Sequence, residues 1–63
     1  MDKETWVALF AVALVNLRPH LSDRMAQGVA AEEYTADNTN PKATARAYHV
    51  KHGGTLPVGK RAT

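Results

Sequence analysis

The sequence predicts an all-α protein with two or three short helices and an extended basic C-terminal tail, and three observations lead to this prediction. Residues 6–15 form an unbroken apolar run rich in alanine and leucine, which are strong helix formers. Asp2, Ser22 and Asn40 each precede a stretch suited to a helix, as N-cap residues do. A Gly-Gly pair at 53–54 then provides a stop. We therefore expect helices at about 3–17, 22–33 and 41–52.

The chain is long enough for one small domain, which we place at residues 1–54, with residues 55–63 as the tail. A domain of 63 residues buries only about 60% of the surface that its unfolded chain exposes. The sequence contains no cysteine, so no disulfide adds stability. Self-association or docking onto a larger partner would supply further burial, and we expect one of the two.

The first helix has two apolar faces, whereas a surface helix of a small monomer normally has a polar back. Bulky side chains gather on one face, the predicted core, which consists of Trp6, Leu9, Phe10, Leu14 and Leu17. Smaller side chains gather on the opposite face, the predicted protein interface, which consists of Ala8, Ala11, Val12 and Val15. The alternative is a core that wraps both faces, but few apolar residues remain elsewhere to build it.

Pro19 limits the first helix, because the residue before a proline is disfavoured in the helical region of backbone space. The sequence leaves open whether Pro19 breaks this helix or kinks it. Beyond Pro19, the spacing of Leu21, Met25 and Val29 predicts an apolar stripe on the second helix. We expect Gly28 to mark close packing of the second helix against the first.

The third helix is expected to combine a thin apolar stripe with a row of basic side chains. Ala43, Ala47 and Val50 form the stripe, and His49 lies next to it. The basic side chains predict contacts with phosphates if the protein binds nucleic acid. The residues concerned are Lys42, Arg46 and Lys51.

Charge is distributed unevenly along the chain, whose net charge is +2. Residues 1–40 hold all six acidic residues and three basic ones, giving −3, whereas residues 41–63 hold five basic residues and no acid, giving +5. This asymmetry indicates either a nucleic-acid contact or head-to-tail pairing between protein chains. For Lys60 and Arg61 we expect a protein contact, because a phosphate-binding groove uses more charges and several stacking aromatic side chains.

The sequence gives no indication of an active site or a cofactor site. His49 and His52 are three residues apart, with His20 as a third candidate, but zinc sites need three or four ligands and commonly use cysteine. Ser22 lacks the histidine and carboxylate arrangement of a catalytic triad. The glycines before Lys60 lack the spacing of a phosphate-binding loop. We expect no metal, no cofactor, no small-molecule substrate and no enzymatic activity.

The apolar run is too short to cross a membrane, since ten to twelve helical residues span about 15–18 Å against a hydrocarbon core of about 30 Å. It has the length of a signal-peptide core, but the segment Met1–Glu4 is not positively charged and no small-residue cleavage site follows. We therefore expect a cytoplasmic protein, or one inside an assembled particle such as a virion, and not a secreted one.

These features favour a non-enzymatic helical interaction or assembly module that associates with itself or docks into a larger complex. The alternative is a small nucleic-acid-binding accessory protein that uses the third helix and the tail. The two functions differ in salt dependence, because phosphate contacts weaken steeply as salt rises and apolar contacts do not.

Overall fold

The computed structural model describes residues 1–54, which form three helices and no strand. The prediction of an all-α protein is therefore confirmed for this part of the chain, and each helix boundary lies within one residue of the expected position. The predicted basic tail, residues 55–63, lies outside the described residues. The helices are α1, Lys3–Leu17; α2, Asp23–Glu33; and α3, Pro41–Lys51.

Each helix begins at the N-cap residue that the sequence predicts. In all three, the side chain of the cap accepts a hydrogen bond from the backbone N–H three residues later, which would otherwise lack a partner inside the helix. The three bonds run from Thr5 N to Asp2 Oδ1 at 3.2 Å, from Met25 N to Ser22 Oγ at 3.2 Å, and from Ala43 N to Asn40 Oδ1 at 3.1 Å.

Proline and glycine mark the ends of α1 and α3. Helix α1 stops at Leu17, and Arg18 has a φ of −130° and a ψ of 78°, outside the helical region. Pro19 thus breaks the helix rather than kinking it, because Arg18 avoids the helical conformation next to the proline ring. After α3, Gly53 has a φ of +86°, a left-handed conformation that glycine adopts without steric penalty.

Helix α1 packs against both other helices, while α2 and α3 contact each other little. Its largest side chains are completely buried, and they meet the smallest side chains of α2 and α3. This pairing of large with small residues lets all three backbones approach closely. The fully buried residues are Trp6, Phe10 and Leu14 on α1, Ala26 and Ala30 on α2, and Ala45 on α3.

The core therefore uses faces of α2 and α3 other than the predicted ones. On α2, Met25 is 61% exposed and Val29 only half-buried. On α3 the predicted stripe is wrong, because Val50 is 51% exposed and its alanine partners are exposed too. The inward residues of α3 are instead Pro41, Ala45 and His49. The large rings of α1 leave little room where the helices pack most tightly, so alanine occupies the fully buried positions of α2 and α3.

Gly28 does not mark close packing, contrary to expectation. A Cβ atom placed on Gly28 would have no atom within 4 Å, apart from its own helix backbone and chain neighbours. None of the helices in residues 1–54 has the length and apolar character needed to span a membrane.

Candidate interaction surface

The predicted core of α1 is only partly enclosed. Trp6, Phe10 and Leu14 are fully buried, but Leu17 is half-buried and Leu9 is 46% exposed. Leu9 precedes Phe10 by one residue, so its side chain points about 100° away from that of Phe10 around the helix axis. Helices α2 and α3 do not extend far enough around α1 to cover it.

The predicted interface of α1 is divided by the fold. Ala11 is only 6% exposed and belongs to the protein's own core. Val15 is half-buried against that core. Ala8 and Val12 are exposed, and Val12 retains 62% of its accessible surface. Ala11 is therefore not available to a second chain, whereas Ala8 and Val12 are.

The outward side of α1 combines residues from both predicted faces. Side chains on this side recur at helical spacing, and none of them carries a charge. All are exposed except Ala13, which is half-buried. We call this surface the open face of α1; it consists of Thr5, Ala8, Leu9, Val12, Ala13 and Asn16.

Two grooves run along the borders of the open face. The groove on the α2 side is lined by Val7 and Ala8 of α1 and by Gln27 and Ala31 of α2, with the charged first turn of α1 at one end. The groove on the α3 side is lined by four residues of the open face together with the start of α3, including Pro41 and Lys42. An apolar ridge between two grooves is a shape that suits packing against another helix.

One asparagine fixes the buried side of α1 to the start of α3. Trp6 Nε1 donates a hydrogen bond to Asn38 Oδ1 at 3.2 Å, and Asn38 Nδ2 donates to Thr44 Oγ1 at 2.8 Å. Asn40 N donates to the same Asn38 oxygen at 2.8 Å. Asn38 was not predicted as a structural residue, because its only signal in the sequence is the preference of asparagine for turns.

Aromatic rings extend this contact through the core. The Trp6 ring stacks on that of Phe10 at 5.2 Å between centroids and meets Tyr34 edge-on at 5.5 Å. Phe10 in turn meets Tyr48 edge-on at 6.2 Å. Tyr48 thus packs on the protein's own core, and the ring series holds the rotation of α1 so that Leu9 and Val12 point outwards.

The charges around the open face are concentrated at the first turn of α1. Asp2 and Glu4 are exposed there. The hydroxyl and N–H of Thr5 donate hydrogen bonds to the Asp2 carboxylate and lower its pKa below the usual value. Lys3 Nζ lies 5.8 Å from the centroid of the Tyr34 ring, on the inner side of the helix. The two carboxylates of this turn are accompanied by the exposed side chain of Lys3 and by the α-ammonium group of Met1.

The basic side chains of α3 do not form a single row. Lys42, Arg46 and Lys51 are all exposed. Lys42 and Arg46 are four residues apart and share a side of the helix, but Lys51 lies about 180° around the axis from Lys42. Lys60 and Arg61, the predicted protein contacts of the tail, lie outside the described residues.

His49 is part of the fold rather than of the outer surface. It is 6% exposed, and its Nδ1 atom lies 3.4 Å from Nη1 of Arg18. Gly54 covers its ring, and Gly54 N donates a hydrogen bond to the carbonyl oxygen of His49 at 2.8 Å. Within residues 1–54, no three histidine, aspartate or glutamate side chains come close enough together to hold a metal ion.

Comparisons with models of protein families, with curated proteins and with solved structures give no match to this chain.

Proposed function

We propose that this protein is a non-enzymatic interaction module that docks onto another protein surface through the open face of α1. One observation carries the proposal: Leu9 and Val12, two large aliphatic side chains, are 46% and 62% exposed side by side on an uncharged helix face. Contiguous exposed apolar surface in a small protein marks an interaction site. Complete burial of such a side chain is worth about 1.5–3 kcal/mol relative to full exposure.

The fold supports this proposal by holding the open face rigid. The asparagine and aromatic contacts on the opposite side of α1 fix the rotation of the helix before any partner arrives. A partner therefore need not order the helix on binding, and less free energy is lost to ordering. Such a module would act in the cytoplasm as a component of a larger assembly, either a multi-subunit complex or a virus particle.

Nucleic-acid binding is the weaker candidate because its basic residues are dispersed. Only Lys42 and Arg46 share a side of α3, and Tyr48 is engaged with Phe10. Two aligned charges without a free aromatic side chain would bind a phosphate backbone only weakly. Retardation of an oligonucleotide probe at about 150 mM salt, lost in a Lys42→Ala/Arg46→Ala variant, would favour this alternative.

Site-specific photo-crosslinking in the cells that produce the protein tests the proposal. A photoreactive phenylalanine analogue at position 12 should give a covalent protein adduct of defined mass. The matched control carries the same analogue at Val50, which is 51% exposed on α3 and lies away from the open face. We expect the adduct at position 12 and not at position 50. The absence of any protein adduct at position 12, or identical adducts at both positions, would refute the proposed function.

A further inference from the structure

We infer that the open face of α1 docks against the same face of a second copy of this chain, with the two α1 helices antiparallel. This inference rests on the proposed function and names the partner. Two features carry it: the order of side chains along the face and the opposition of the two helix dipoles.

The open face has the same chemical order when read from either end. Starting from the N-terminus, the order is polar, alanine, large aliphatic, large aliphatic, alanine, polar; the residues are Thr5, Ala8, Leu9, Val12, Ala13 and Asn16. A two-fold symmetric interface uses the same patch on both partners, so that residue i contacts residue j and j contacts i. The open face meets this requirement when the two helices run in opposite directions.

The antiparallel register follows from this order. With the two-fold axis between the levels of Phe10 and Ala11, Leu9 of one copy lies at the level of Val12 of the other. Leu9 and Val12 are on opposite sides of the midline of the face, so the two side chains pack beside each other rather than end to end. At both ends of the contact, the Thr5 hydroxyl comes level with the Asn16 amide, and these groups can share a hydrogen bond.

Charge also favours the antiparallel arrangement. The N-terminal end of α1, with Asp2 and Glu4, would lie beside the C-terminal end of the second copy's α1. The helix dipoles would oppose each other, which is favourable. A parallel pair would instead place Asp2 and Glu4 beside their own copies, and the like charges would repel.

A dimer interface would have to extend beyond the open face. A standard stable interface buries about 800 Å² on each partner, which is about a fifth of the 4253 Å² surface of this chain. The open face extends for about 16 Å along α1, so the two bordering grooves must also contribute. Contacts with Gln27 and Ala31 on one side and with Lys42 on the other would widen it.

Disulfide trapping tests both the partner and the register, because the natural chain has no cysteine. The variants Thr5→Cys and Asn16→Cys are mixed in equal amounts in a glutathione redox buffer, and the dimers are identified by mass. In the antiparallel register the two copies of position 5 are about 16 Å apart along the axis. A disulfide needs Cα atoms within about 7 Å. We therefore expect nearly all the disulfide-linked dimer to be the mixed species.

An Ala47→Cys variant, exposed on α3 outside the open face, is the control for random collision. Like-with-like dimers of Thr5→Cys would overturn the antiparallel register. Random collision would make about half of the disulfide-linked dimer the mixed species, formed no faster than the Ala47→Cys dimer. That result would overturn the inference that the partner is a second copy. The photo-crosslinking experiment tests the proposed function separately. An adduct at position 12 with a different protein would preserve the proposed function, whereas the absence of any adduct would overturn both the proposed function and the dimer.

Discussion

Gly28 and Gly54 show how differently one residue type can be constrained in a chain this small. Gly28 lies in the middle of α2, and a Cβ atom there would meet open space. Gly54 follows α3, and a Cβ atom there would fall on the ring of His49. Glycine is therefore dispensable at the first position and required at the second.

Replacing Gly28 with alanine should stabilise the protein by about 1 kcal/mol, because alanine restricts the unfolded chain and favours the helix. In a domain of this size the melting temperature should rise by about 4–8 °C, measured by circular dichroism. Gly54→Ala is the matched control and should melt at a lower temperature, since the buried His49 ring must move. A lower melting temperature for Gly28→Ala would mean that Gly28 packs against another surface.

Asn38 is the other single residue on which the fold depends. Asn38→Ala removes the acceptor of Trp6 Nε1 and the donor to Thr44. Leaving a part-buried N–H without a partner costs about 1–3 kcal/mol. We expect that loss in urea unfolding, together with a shift of tryptophan fluorescence to longer wavelength as water reaches the indole. The neighbouring Thr39→Ala, at an exposed position, should change neither quantity; equal effects in both variants would argue against the role of Asn38.

At the scale of the helices, side-chain caps determine where each element begins. The cap of α1 is also ionisable, so its contribution depends on pH. Thr5 lowers the pKa of Asp2 in the folded protein, and the unfolded chain has no such contact. A carboxylate with a lowered folded pKa binds fewer protons when folded. Its stabilising contribution is thus complete above the unfolded pKa of about 4 and is lost as pH falls through the folded pKa.

Asp2→Asn should remove this pH dependence while preserving the cap, because asparagine caps helices as well as aspartate does. We expect the free energy of unfolding of the natural protein to fall more steeply than that of Asp2→Asn as the solution is acidified below about pH 4. Parallel acid titrations followed by circular dichroism would measure the difference. Identical curves for the two proteins would show that Asp2 does not couple folding to protonation.

Caps and breaks could be predicted from the sequence because their chemistry is local. Ser22 and Asn40 act on residues three positions away, and Pro19 acts on its direct neighbour. The inward faces of α2 and α3 could not be predicted in the same way. Hydrophobicity ranks Met25 and Val50 above alanine, but the fully buried residues of α2 and α3 are alanines, and this choice depends on the rings of α1, which are distant in sequence.

Contacts between residues distant in sequence also explain why the open face of α1 could not be predicted. The hydrogen bond between Trp6 and Asn38 joins residues 32 positions apart, so no periodic pattern in the sequence predicts it. That bond and the aromatic contacts determine the rotation of α1. Sequence periodicity found the two apolar sides of α1, but only the packing shows that Ala11 is inside and Leu9 outside.

At the scale of the whole molecule, α2 and α3 support α1 from one side and leave the other side uncovered. The buried half of α1 is large and aromatic, and the uncovered half is aliphatic and uncharged between its two ends. A small protein with such a surface can gain stability by association, because a partner that binds only the folded state shifts the folding equilibrium. Stability and assembly should therefore be measurable in one experiment.

The melting temperature of the natural protein should rise with protein concentration. Well above the dissociation constant of a homodimer, each tenfold increase in protein concentration adds about 1.4 kcal/mol per dimer, or about 0.7 kcal/mol per chain, equivalent to several degrees. Val12→Glu places a charge in the centre of the open face and should abolish the concentration dependence while preserving the helical spectrum, because Val12 is 62% exposed in the single chain. Val50→Glu adds the same charge at a similarly exposed position on α3 and should keep the dependence. Calorimetry from micromolar to millimolar concentration would distinguish these outcomes. A constant melting temperature for the natural protein, or equal behaviour of the two glutamate variants, would show that the open face of α1 does not mediate self-association.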